Sequence, residues 1–383
     1  TCPSSQTFDV ENPANGECIA HISEVTDGQL ELAIQTAKSA QKKWQKQDPH
    51  TRAKILHRWH ELIAKNLSDL ALILTREQGK PLSDARGEIL YGNSFIEWFA
   101  EEGKRVYGDV IPSPASDKRM MTIKQPIGVV AAITPWNFPS AMITRKAAAA
   151  FAAGCAFVVK PAAETPLSAL ALAKLALEAG LPEGLFNVVV GSDAPKIGKV
   201  LTSHPDIAKF TFTGSTKTGK ILTEQCASTV KRVSMELGGN APFIVFADAD
   251  LDAAAQALFN AKFRNCGQTC ISPNRIYVHK DVVASFADSL IAHLQTLKQG
   301  SGENKSNNLG CLIHTAAAKN VHSIVSGAIS EGATVMFGGL SQQPSDSFYP
   351  PTMLGNVNHG MEITKKEIFG PVLALVPFET DEE

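Results

Sequence analysis

The 383-residue chain reads as an α/β protein built from more than one lobe, on three observations. It is too long for a single compact core. Continuous β-branched runs such as Val129-Val130 and Phe157-Val158-Val159 alternate with helical segments, the pattern of a parallel sheet covered on both faces. That alternation stops near Gly239 and starts again, which separates a second α/β lobe from the first.

The bulk composition narrows the function. The chain is 44% hydrophobic, with 36 basic and 38 acidic residues and no basic run, so nucleic acid and anionic membrane are poor partners. No apolar stretch reaches membrane-spanning length. Residues 1–15 are polar and lack the apolar centre of a signal peptide. Seven cysteines without disulfide-framework spacing suggest a reducing, cytoplasmic setting.

In order, Asp27-Gly28-Gln29 opens a helix whose apolar positions are Leu30, Leu32, Ala33, Ala37, Ala40 and Trp44. A second helix is expected from Thr51 through Leu74, and a third from Leu82 to Glu102. Val110-Ile111 and Met120 to Lys124, separated by Pro112, Pro114 and Ser116, read as a hairpin that leaves the lobe, a common assembly element. Strands are expected at Gly128–Ile133, Ala156–Lys160, Phe186–Val190 and Ala208–Thr213, with helices at Ala141–Ala153, Leu167–Ala179 and Ala194–Ser203. The second lobe should hold strands at Pro242–Phe246, Arg275–Val278 and Thr334–Phe337. Its helices are expected at Leu251–Phe263, Val282–Leu297 and Ala316–Glu331, with a polar loop over residues 300–308.

Parallel sheets bind ligands at the carboxyl ends of their strands. Thr134-Pro135-Trp136-Asn137, Lys160-Pro161 and Gly214-Ser215 all follow strands and should face one crevice. Gly214 to Lys220 nearly completes a triphosphate-binding loop, but Ile221 stands where a magnesium-holding Ser or Thr is required. A glycine turn opening a helix still suits a pyrophosphate. Lys160 reads either as a solvated strand end or as a ligand for ribose hydroxyls or phosphate. Asn137 is either a turn residue or a donor to a developing oxyanion. Cys270, in Gly267-Gln268-Thr269-Cys270, sits among polar neighbours in a loop, unlike a packing cysteine. A nucleophilic thiol needs deprotonation, and Glu236 in Met235-Glu236-Leu237-Gly238-Gly239 is a candidate base. Glu367-Ile368-Phe369-Gly370-Pro371 places a carboxylate and a ring on one turn.

Together these six motifs, in this order, resemble the aldehyde dehydrogenase superfamily from end to end. The resemblance implies two Rossmann-type α/β lobes, with residues 1–107 and 127–238 binding NAD(P), 108–126 as an oligomerisation hairpin and 239–383 as the catalytic domain. It implies that Cys270 attacks the aldehyde, that Asn137 and the Cys270 backbone N–H hold the oxyanion, and that Glu236 activates the hydrolytic water. Cofactor contacts would come from Thr134, Pro135, Trp136, Lys160, Ala163, Gly214, Ser215, Leu237, Glu367 and Phe369, with no metal. Within the superfamily, Asn137 to Lys146 and Lys262-Phe263-Arg264-Asn265 are most similar to the succinate-semialdehyde dehydrogenases, in which Arg145 and Arg264 would clamp the substrate's distal carboxylate. Another aldehyde, such as glutarate semialdehyde or a general aliphatic one, or a CoA-acylating reaction, are the alternatives; Glu236 argues against acylation. Ala163, where a ribose-binding glutamate would favour NAD, leans the cofactor toward NADP, although Glu164 is adjacent.

A homodimer or homotetramer is implied. Ser272 occupies the place of a second redox-switch cysteine, and Cys266 is the extra thiol that a disulfide with Cys270 would need. The chain stops at Glu383, before the family's remaining catalytic and oligomerisation segments, so a fragment is expected.

Overall fold

The computed structural model describes residues 6–383; residues 1–5 of the first expected domain lie outside that range. The chain opens with β1 (Thr7–Glu11), β2 (Cys18–Ser23), α1 (Asp27–Trp44), α2 (Pro49–Lys65), α3 (Leu67–Gln78), α4 (Leu82–Glu102), β3 (Val110–Ile111) and β4 (Met120–Met121). The alternation follows as β5 (Val129–Ile133), α5 (Ala141–Ala152), β6 (Ala156–Lys160), α6 (Pro166–Glu178), β7 (Phe186–Val188), α7 (Ala194–Ser203), β8 (Ile207–Gly214), α8 (Thr216–Ala227) and β9 (Arg232–Leu237). Beyond it run β10 (Ala241–Val245), α9 (Leu251–Phe263), β11 (Pro273–His279), α10 (Val283–Leu294), α11 (Thr315–Ser330), β12 (Thr334–Phe337), β13 (Thr352–Gly355) and β14 (Val372–Phe378).

The chain divides into two compact units. Of the described residues, the first holds 6–10, 20–73 and 86–237; the second holds 11–19, 74–85 and 238–383. In the first, β7-β6-β5-β8-β9 form a fully parallel five-stranded sheet. Ala131, Phe157, Val158 and Phe210 are wholly buried, as expected for strands covered on both faces. Rings of Trp59, Phe151, Phe157 and Phe186 pack 5.5–6.3 Å apart, mostly edge-on or tilted. In the second unit the order is β10-β11-β14-β13-β12, parallel except for β12 against β13. Its core is aliphatic, with Val278, Leu290, Val325, Leu373 and Leu375 buried together.

Several elements differ from the sequence expectations. The second helix is two, α2 and α3, because Asn66 caps α2 at φ −98°, ψ 17° and donates from its amide to the Leu62 carbonyl at 2.7 Å. In α1 the apolar stripe runs through Ile34, fully buried, while Leu32 is 60% exposed; Thr26 closes that helix with a capping box to Gln29. Ahead of the first expected helix lies a paired two-stranded sheet, β1 with β2. Strands β9, β13 and β14 carry no distinct sequence pattern: β9 has three exposed and three half-buried positions and none wholly buried. The expected hairpin forms, with β3 and β4 antiparallel, but β4 ends at Met121. Val110, Met121 and Ile123 on it are 84%, 70% and 71% exposed.

Candidate active site

Strand register builds the polar edge of the first unit. Ile133 pairs with Lys160 on one side and with Phe212 on the other. Thr213 pairs with Glu236, and Gly214 with Leu237. The residues at or just beyond the carboxyl ends of β5, β6, β8 and β9 are therefore Thr134, Lys160, Gly214 and the Glu236-Leu237 pair, one continuous row.

This row carries polar groups that the protein leaves unsatisfied. The Thr134 and Thr213 hydroxyls are buried without a hydrogen-bond partner. Lys160 is 2% exposed, and its ammonium donates to the adjacent Pro161 carbonyl at 3.1 Å. Burial lowers its pKa, opposed by the charges of Glu164, Glu24 and Asp193. Ser215 caps α8, accepting from the Thr218 backbone N–H, so the positive end of a 12-residue helix opens beside Gly214. A Cβ at Gly219 would stand 2.5 Å from the tip of the Leu237 side chain; the bare glycine lets α8 sit close on the end of β9. Buried unsatisfied hydroxyls, a buried lysine and a helix N-terminus suit a ligand bearing phosphates and sugar hydroxyls. Ala163 is half-buried beside the exposed Glu164.

Asn137 is 5% exposed, and its side-chain oxygen accepts from the Phe138 N–H at 3.1 Å. The acceptor end is thus tied to the backbone, which fixes the direction of the amide donor. Pro135 and Trp136 are half-buried ahead of it. The Ser140 and Ala141 N–H groups donate to the Glu88 carboxylate, at 2.9 and 3.2 Å, anchoring the start of α5 to α4.

Arg145 lies one turn into α5. Its guanidinium donates to the Tyr91 hydroxyl at 3.2 Å and sits 4.6 Å from the Phe95 ring centroid. Its remaining contacts are the Tyr91 face at 5.9 Å and the Met142 thioether at 3.8 Å. These partners are neutral; no carboxylate among the described residues pairs with it. The sequence reading missed both rings. Their i, i+4 spacing in α4 was the available signal, but contact with α5 depends on Gly92, where a Cβ would stand 3.0 Å from the Ala141 Cα and 2.9 Å from the Thr144 hydroxyl. Lys146 was missed too. Its ammonium donates to Thr211 at 2.8 Å, and burial pulls its pKa down to about 8, opposed by the Glu236 charge.

In the second unit, Cys270 is half-buried. The loop before it turns through three consecutive left-handed residues, Asn265, Cys266 and Gly267, at φ 52°, 56° and 75°. Such backbone persists only where its surroundings over-determine it. Here they do. The Asn265 N–H donates to Asp84 at 3.0 Å; Gln268 accepts from the Ile313 N–H at 2.9 Å and donates to the Asn265 and Cys311 carbonyls at 3.1 and 3.3 Å. Lys262 closes the loop, donating to the Pro273 carbonyl at 3.0 Å. Cys266 belongs to the buried core; burial first, then Cys311 and Asp84, raise its thiol pKa well above the ordinary value, which leaves little thiolate for exchange with Cys270. Arg264 is exposed and ends α9.

Glu367 and Phe369 are half-buried on the loop before β14. A Cβ at Gly238 would meet the Glu367 carboxylate at 2.5 Å, and one at Gly239 would lie 3.6 Å from the Cys270 carbonyl. One carboxylate oxygen, Oε1, is buried without a partner. Burial raises the Glu367 pKa, countered by the Gly239 N–H and the Lys262 charge. That oxygen is a ready acceptor for sugar hydroxyls.

Within the first unit the structure thus brings the Thr134, Lys160, Gly214 and Glu236-Leu237 positions to one edge. Within the second it places the segment of Cys270 beside the Gly238-Gly239 turn that also contacts Glu367. The profile described as "Aldehyde dehydrogenase family" matches residues 1–383. A 3-sulfolactaldehyde dehydrogenase of Pseudomonas putida is 51% identical over 380 residues, 99% of this chain and 78% of that protein. Succinate-semialdehyde dehydrogenase NADP(+) GabD of Escherichia coli (strain K12) is 49% identical, over 99% of this chain and 78% of its own length. A glutarate-semialdehyde dehydrogenase of Pseudomonas aeruginosa is 49% identical with the same coverage, 99% and 78%. The crystal structure of a succinate-semialdehyde dehydrogenase from Burkholderia pseudomallei superposes with a TM-score of 0.96 at 50% identity, covering 98% of this chain and 78% of that one.

Proposed function

This chain belongs to the aldehyde dehydrogenase family, and from that premise we propose that it oxidises a short aldehyde carrying an anion at its far end, with succinate semialdehyde, giving succinate, as the preferred substrate. It is an NAD(P)-dependent oxidoreductase. The observation that carries the substrate reading is Arg145, a guanidinium held by two rings and a phenol with no protein carboxylate among its partners. A charge placed this way favours an external anion. The named substrates of the relatives, 3-sulfolactaldehyde, succinate semialdehyde and glutarate semialdehyde, share that chemistry. Arg264 is the proposed second clamp.

In the proposed reaction the Cys270 thiolate adds to the aldehyde carbon, forming a thiohemiacetal oxyanion. The Asn137 amide and the Cys270 backbone N–H donate to that oxygen. A bound nicotinamide cofactor would supply the hydride acceptor. With that hydride removed, the acyl group would stay on the Cys270 sulfur as a thioester. Glu236 takes a proton from water as the water attacks the thioester carbon, and collapse expels the thiolate and the carboxylic acid.

Residues 1–107 and 127–238 would bind the cofactor through Thr134, Pro135, Trp136, Lys160, Ala163, Gly214, Ser215 and Leu237, and residues 239–383 would add Glu367, Phe369 and the nucleophile. Alanine at 163 leaves room for a 2′-phosphate, and Lys160 offers it a positive charge, so NADP should serve at least as well as NAD. The exposed apolar side chains of β3 and β4 suit burial between copies in a homodimer or homotetramer. No described helix is long and apolar enough to cross a membrane; the scattered cysteines favour a cytoplasmic enzyme.

The test is reduced-cofactor absorbance with succinate semialdehyde, glutarate semialdehyde, 3-sulfolactaldehyde and butanal, each with NAD and NADP, with and without CoA. Succinate semialdehyde should give the highest kcat/KM, without CoA. Equal turnover of butanal would overturn the anionic-substrate reading.

A further inference from the structure

Asn274 lies at the start of β11, four residues after Cys270, and is 3% exposed. Its side chain is fully used. The amide nitrogen donates to the Asn240 side-chain oxygen at 2.7 Å and to the Lys366 carbonyl at 2.7 Å. The amide oxygen accepts from the Ile368 N–H at 2.9 Å. Asn274 therefore grips the backbone on both sides of Glu367 without touching its carboxylate. Asn240 extends the grip, donating to the Thr364 carbonyl at 2.7 Å. Its own carbonyl accepts from Arg275, at 3.1 Å from Nε and 2.7 Å from Nη2.

Three segments thus converge on one amide: the 238–240 turn, the strand that follows Cys270, and the loop bearing Glu367. The Gly239 N–H bond to Glu367 and the tight fit of Gly238 against that carboxylate both depend on the loop and the turn keeping this spacing. No aspartate or serine could replace Asn274 in full, because the site needs two donated bonds and one accepted bond from a planar group.

We propose that Asn274 is a positioning residue that sets the Glu367 carboxylate for a cofactor ribose and locks it to the segment carrying Cys270. The proposal rests on the reading of Glu367 as a ribose ligand. A buried amide that satisfies a loop on both sides leaves unpaired backbone groups when it is removed, and the loop then relaxes away from the turn.

The experiment measures the dissociation constant of oxidised cofactor by quenching of protein fluorescence, without aldehyde. Alongside it runs hydrolysis of 4-nitrophenyl acetate without cofactor, a readout of acyl transfer at Cys270 and its hydrolysis that needs no cofactor. Asn274→Ala should weaken cofactor binding about tenfold, the size expected from a lost buried bond, while ester hydrolysis stays within about twofold. Asn274→Ser, which keeps one donor and one acceptor, should fall between, and it serves in place of the alanine variant if that one does not fold. Glu367→Gln tests the underlying reading: unchanged cofactor affinity in that variant removes Glu367 as a ribose ligand and the proposal with it. If Glu367→Gln weakens binding but Asn274→Ala and Asn274→Ser do not, the positioning role alone is wrong. In the double variant Asn274→Ala/Glu367→Gln, the losses should be less than additive; fully additive losses overturn the proposal.

Discussion

Arg145 lies over the ring of Phe95, its guanidinium carbon 4.6 Å from the ring centroid. Phe95 in turn meets Tyr91 edge-on at 4.9 Å, and Tyr91 accepts the guanidinium bond. The fork is held by an aromatic platform, which orients it without neutralising it.

Arg145→Gln should therefore raise KM for succinate semialdehyde by the equivalent of about 2–5 kcal/mol, the cost of losing one partner of a desolvated charge pair. Phe95→Leu and Tyr91→Phe should raise it by a smaller amount, about 0.5–1.5 kcal/mol each. Steady-state kinetics with butanal as the neutral control decides the matter: equal losses for both aldehydes would make the arginine structural.

Cys270→Ala should abolish aldehyde oxidation while leaving cofactor affinity within about twofold. Absorbance at saturating aldehyde and fluorescence titration of cofactor read the two halves separately. Retained turnover would end the covalent mechanism.

Lys262 offers a pH test. It is 1% exposed, and burial lowers its pKa to about 7, opposed by the Glu367 charge. Below that value both folded and unfolded chains hold the proton, and the full cost of burying the charge is present. As pH rises through 7 the folded chain releases the proton while the unfolded chain keeps it to about 10.4, so this lysine's contribution to stability improves with pH. Lys262→Met removes that slope. Chemical denaturation of both proteins from pH 6 to 9 should show the methionine variant's relative advantage shrinking as pH rises; a constant difference would mean that Lys262 does not titrate there.

Ala163→Glu should shift the ratio of kcat/KM values toward NAD, because a carboxylate facing the 2′-position repels a phosphate there. An unmutated enzyme with a far higher kcat/KM for NAD than for NADP would sink the cofactor assignment.

Much of the first sheet was legible because its strands are continuous apolar runs and its helices carry 3.6-residue periodicity; α4, α7, α9 and β12 match their expected bounds. The candidate residues after each strand followed from that alternation. What escaped had no local signal. The break at Asn66 interrupts a periodicity that continues on both sides. Strand β9 has three exposed and three half-buried positions in no alternating order, so no periodicity marks it. Tyr91, Phe95 and Asn274 gain their roles from contacts 50 to 94 residues away in sequence, which no short window on the chain can contain. The left-handed run at Asn265-Cys266 was invisible for another reason: neither residue advertises it, and the hydrogen bonds that hold it come from Asp84, Ile313 and Cys311.

Gly267 adds a constraint for anyone redesigning this enzyme. Its φ of 75° disfavours a side chain, and a Cβ there would stand 2.2 Å from the Gly370 carbonyl. The loop that leads to Cys270 and the Glu367-Phe369 loop are thus in backbone contact at a point where neither can yield. A library that randomises one of these loops to change aldehyde or cofactor preference inherits the conformation of the other. The two segments are better diversified together, with Gly267 and Gly370 left unchanged, than one at a time.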